Sequence, residues 1–121
     1  MEHSFLMAFL NGNLSPEEFH SGVAAEVDAC EQGFRSGGVG YIIVTDGPRS
    51  IVTREHAKRL LQSIAGDRLP FLVANYAADA LIMSGDFTFA NSAVQQAVEF
   101  VADDSRSPTR AETEAALAQL D

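Results

Sequence analysis

The chain has 121 residues, of which 46% are hydrophobic and 21% charged, with a net charge of −9 and one cysteine. That composition fits a single globular domain and excludes an intrachain disulfide or a cysteine-based zinc cluster. The charge is segregated: residues 1–34 hold six acids and no Lys or Arg, residues 35–68 hold six of the eight bases, and residues 69–105 hold five acids and no base. Such surfaces repel nucleic acid and anionic membrane and attract a basic protein.

In chain order, Phe5, Leu6, Phe9 and Leu10 form one helical stripe over residues 3–11, closed by Gly12 and Asn13. Ser15, Pro16 and Glu18 then spell a capping box, opening a helix to about Gly33 with Phe19, Val23, Val27, Cys30 and Phe34 on one face. The glycines at 37, 38 and 40 precede the β-branched run Tyr41–Thr45, which reads as a strand. Asp46-Gly47-Pro48 is a turn, after which Ser50–Val52 is expected to return antiparallel as a small ribbon lying on helices. Thr53 caps a third helix over 54–65, with Glu55 and Arg59 spaced for an i,i+4 pair. The helix over 69–84 is apolar on nearly every side and is expected at the centre of the domain. Asn91 caps a fifth helix carrying Val94, Val98 and Val101, and Thr109 with Glu112 opens a short last one.

The N-terminus lacks the basic start of a signal peptide, and the longest apolar run, Leu69–Met83, is too short for a bilayer span and interrupted by Asn75 and Asp79. The reading is a cytoplasmic protein with no membrane contact.

Few residues carry chemical signals. The glycines around 37–40 follow a helix and precede a strand, the reverse of a phosphate-binding loop. His3, His20 and His56 fall on three helices, and Glu17 with His20 makes only one of the two Glu-x-x-His steps that a bundle metal site needs. No metal or cofactor is expected. Ser84 and Ser92 have no base at a telling spacing, and Cys30, on the apolar stripe, reads as a buried, inert thiol. Asn75 and Asp79 lie one turn apart on the most apolar helix, with Tyr76 beside them. A carboxylate there is costly unless donors surround it, so Asp79 is expected in a structural network with a helix N-terminus, Tyr41 or a basic residue. The other reading makes Tyr41, Asn75, Tyr76 and Asp79 a pocket, and a cavity above about 300 Å³ beside Asp79 would favour it.

The segments FLNGNLSPEEF, VTREHAKRLLQSIAGDRL, YAADALIMSGDFTFANSAVQQAVEFVADD and SPTRAETEAAL follow a pattern of capped amphipathic helices. In this the chain resembles small acidic bacterial immunity-type proteins that neutralise colicin-like or contact-dependent toxins. The resemblance implies a helical fold, action by binding and no catalytic residue.

The sequence thus predicts a mainly α, single-domain bundle of five to six helices with a short strand or ribbon at about 41–52. The alternative is an α+β domain whose 41–45 strand pairs across a two-fold axis in a homodimer. The expected function is non-catalytic binding of a basic partner protein through the acidic face Glu17, Glu18, Glu26, Asp28 and Glu31. The alternative is a small enzyme or ligand-binding domain using the pocket near Asp79.

Overall fold

The computed structural model describes residues 1–38 and 40–120, so Val39 of the glycine-rich segment lies outside it. Among these residues the order is α1 (His3–Leu10), α2 (Pro16–Arg35), β1 (Ser50–Val52), α3 (Arg54–Ala65), α4 (Phe71–Met83), β2 (Phe87–Phe89), α5 (Ser92–Ala102) and α6 (Arg110–Ala118). The domain is mainly helical, as the periodicity predicts. No helix among the described residues is long and apolar enough to cross a membrane.

Local signals set the helix starts. The Ser15 hydroxyl accepts from Glu18 N while the Glu18 carboxylate accepts from Ser15 N, both at 3.0 Å. Thr109 and Glu112 repeat that box before α6, and Asn91 caps α5 through Val94 N. At α3 the reciprocal partner of Thr53 is a histidine: His56 Nδ1 accepts from Thr53 N, and His56 Nε2 lies 2.7 Å from Asn11 Oδ1. Those partners select the neutral imidazole with its proton on Nε2.

Packing follows the stripes. Phe19 of α2 stacks on Phe9 of α1 with ring centroids 4.4 Å apart and on Phe5 at 5.6 Å. Arg59 of α3 does not pair with Glu55. It reaches the α1–α2 junction, donating to the carbonyls of Phe9 and Leu14, with its guanidinium 5.3 Å from the Phe9 ring centroid. There it ties the last turn of α1, where Phe9 O also accepts from Gly12 N, to the residue before the α2 cap. Eight residues of α4, from Val73 to Leu81, are buried against α2, α3 and α5, which makes it the central helix.

The sheet differs in detail from the expected ribbon. Within 41–52 only Ser50–Val52 is a strand, and it pairs in parallel with Phe87–Phe89, in the register Ser50–Phe87, Ile51–Thr88 and Val52–Phe89. Tyr41–Thr45 has strand composition but no strand partner. Its backbone groups are taken elsewhere: Thr45 N donates to Met1 O, Ile43 N to the Tyr76 hydroxyl, and Ile43 O accepts from the Met1 ammonium. The segment is a strap across α1, α2 and α4. Gly47 lies on the buried ring of His3, which stacks on Phe87 at 4.8 Å, and Gly47 N donates to Asp86 Oδ2.

Candidate functional site: a cleft between two helical stripes

On α2, residues 27, 30, 31, 34 and 35 recur at three- and four-residue steps and so share one face; on α4, residues 72, 75, 76 and 79 do the same. The two faces oppose each other across a cleft of about 390 Å³. Val27, Cys30, Glu31, Phe34 and Arg35 form one wall. Leu72, Asn75, Tyr76 and Asp79 form the other, with Ile42 of the strap and Asp104 beyond α5 closing the sides.

Tyr76 fastens the strap beside the cleft. Its hydroxyl donates to Glu26 Oε2 at 2.8 Å and accepts from Ile43 N at 3.2 Å. Burial, with the Glu26 carboxylate adding to it, pushes the phenol up to about 12 against the opposing pull of Ile43 N. Gly40 lets the strap approach α2, because a Cβ there would lie 2.5 Å from the Cys30 carbonyl oxygen.

Asp79 does not sit in the expected network. Its carboxylate has no hydrogen bond or ion pair among the described residues. Burial, and then the nearby Asp104 carboxylate, push its carboxyl from 3.8 up to about 6. The Cys30 thiol is also pushed up, first by burial and then by Asp79 and Glu31, so it stays protonated and poorly nucleophilic. Cys30 is half-buried on the cleft wall rather than sealed in the core. Among the described residues no group of three or more His, Cys, Asp or Glu is placed to hold a metal ion.

Of the four residues read as a pocket, Asn75, Tyr76 and Asp79 line the cleft, whereas Tyr41 is 71% exposed and does not. Sequence reasoning missed Phe34, Arg35, Ile42, Leu72 and Asp104 as lining. The α2 stripe pointed to Phe34, but nothing local connects Asp104 to Asp79.

The acidic residues of α2 are largely committed to the fold. Glu17 pairs with Arg68 at 2.7 Å, Glu18 is the capping-box carboxylate, and Glu31 pairs with Arg35 at 2.6 Å. Glu26 Oε2 lies 2.7 Å from the Met1 ammonium and also accepts from Tyr76. Asp28 alone of the five has no such partner among the described residues.

Compared with protein-family models, curated proteins and solved structures, the chain matches none.

Proposed function

We propose that this chain is a ligand-binding domain and that the α2–α4 cleft is its binding site. The observation that carries this reading is the cavity of about 390 Å³ beside Asp79. It falls in the size range of small-molecule sites, and it combines apolar walls with a few convergent polar groups, as such sites do. Action by binding fits better than catalysis: the thiol in the cleft is held protonated and makes no hydrogen bond to a base among the described residues. The acidic-face reading has weaker support, because four of its five carboxylates already hold Arg68, Ser15, the Met1 ammonium with Tyr76, and Arg35. Three of those partners are cationic, and a charge already paired at short range has less field to offer a basic partner.

The test is a fragment screen by thermal shift, run in parallel on wild type and Leu72→Trp. Leu72 is 50% exposed at the cleft, so an indole there fills the site without disturbing the core. Compounds should raise the melting temperature of the wild type and not of L72W. A screen in which no compound stabilises the wild type, or in which every hit stabilises both equally, overturns the reading.

A further inference from the structure

Three acceptor groups of the cleft have oxygens that no described residue satisfies. Asn75 is only 8% exposed, and its Nδ2 donates to the Val101 carbonyl at 2.9 Å. Its Oδ1 accepts nothing from the described residues. No sealed side-chain nitrogen or oxygen among those residues lacks a partner, so this oxygen is the open atom of a buried amide, and the opening is the cleft it lines. Asp79 and Asp104 add two carboxylates whose oxygens bond to no described residue. The Arg35 guanidinium gives one of its N–H groups to Glu31, which offsets its charge at the cleft, and the Tyr76 hydroxyl proton is given to Glu26. The walls also run along the last turns of α2, the negative end of its dipole.

Resting on the cleft as a ligand site, we propose that its ligand is a small organic cation, an ammonium or amidinium group carried on an apolar body. The N–H groups meet Asn75 Oδ1 and the Asp79 and Asp104 carboxylates, and the body lies between the Phe34 and Leu72 side chains. An anion would face the Asp79 and Asp104 carboxylates, while the base in the lining, Arg35, is already paired with Glu31. A neutral ligand would strip water from those carboxylates and return no charge to them, which is the expensive case. A cation supplies both the donors and the charge.

Three probes share one apolar body and differ in the head: cyclohexylmethylamine, cyclohexylmethanol and cyclohexanecarboxylate. Each is titrated into ¹⁵N-labelled protein, and affinities are read from the backbone amide shifts of residues 27–35 and 72–79. At about pH 7.5 the amine should bind at least about tenfold more tightly than the alcohol, with the carboxylate weakest. Asp79→Asn should weaken the amine by about tenfold and leave the alcohol unchanged. The amine should also weaken as the pH falls through about 6, where the Asp79 carboxyl takes up its proton. Cys30, Glu31 and Arg35 of α2, Tyr76 of α4 and Asp104 are the other titratable or charged groups that line the cleft around it. Equal binding of amine and alcohol, or a D79N protein that binds the amine undiminished, overturns the cationic class while leaving the cleft a ligand site. If none of the three moves these amides, both readings fall.

Discussion

The Tyr76 hydroxyl joins Glu26 of α2 and Ile43 of the strap to the central helix. Tyr76→Phe removes one atom, leaves Ile43 N without its partner and leaves Glu26 with the Met1 ammonium alone. Loss of such hydrogen bonds costs about 0.5–1.5 kcal/mol each. Urea denaturation should show that loss, and amide exchange should show the strap opening before the helices do. At Asp79 the described residues supply none of the donors that the sequence reading expects. With no donors to orphan, replacing the carboxylate removes a desolvated charge. Because its pKa is higher folded than unfolded, Asp79 destabilises the fold above about pH 6, and the penalty fades as the pH falls from 6 to 3.8. Allowing for solvent screening at a half-buried group, Asp79→Asn should add about 1 kcal/mol at neutral pH. Thermal melts should show a higher midpoint for D79N at neutral pH and convergence with wild type near pH 4. A neutral-pH midpoint below that of wild type would restore the structural network. His56 pulls the other way: burial lowers its pKa below 6.5, so the stability tied to its neutral form is lost as the pH falls below that value.

At the scale of elements, helix starts were legible and the strap was not. Ser15, Thr53, Asn91 and Thr109 mark their helices within four residues of chain, because a cap is satisfied locally. Tyr41–Thr45 has the composition of a strand, yet Met1 and Tyr76 take its hydrogen bonds, a tertiary choice with no local trace. Phe87–Phe89 is too short to announce itself and exists because Ser50–Val52 lies beside it. The site divides in the same way. Asn75 and Asp79 stand out as polar residues on an apolar helix, whereas Asp104 and Ile42 reach the cleft only through the fold. Gly40 offers a test of how closely the strap is held. Gly40→Ala sets a methyl group against the Cys30 carbonyl oxygen, a backbone atom that cannot rotate away. Overpacking of this kind costs about 1–3 kcal/mol, to be read from the denaturation midpoint. A midpoint equal to that of wild type would mean that the strap moves without penalty.

Over the whole molecule, charge works against compactness. The net charge is −9, and every ion pair between side chains of the described residues has at least one partner more than half exposed. Pairs of that kind add little, so long-range repulsion among the acids governs the response to salt. Raising sodium chloride from about 20 mM to about 500 mM should raise the melting temperature at neutral pH by screening that repulsion. A fall in calorimetric melting temperature over the same range would show that the surface pairs outweigh it.

The parallel pairing of β1 with β2 governs the order in which the molecule assembles. Two helices, α3 and α4, lie between the strands in sequence, so loop-closure entropy precedes any reward from pairing. The pairing therefore belongs to the late side of the folding barrier. Val52 is 1% exposed and lies in the register of Phe89, so Val52→Ala should destabilise the protein through the lost burial. In stopped-flow kinetics that loss should fall almost wholly on the unfolding rate, with a φ-value below about 0.3. Leu81→Ala, in the buried last turn of α4, should instead slow refolding. The reverse assignment would make the strand pair the nucleus on which the helices condense.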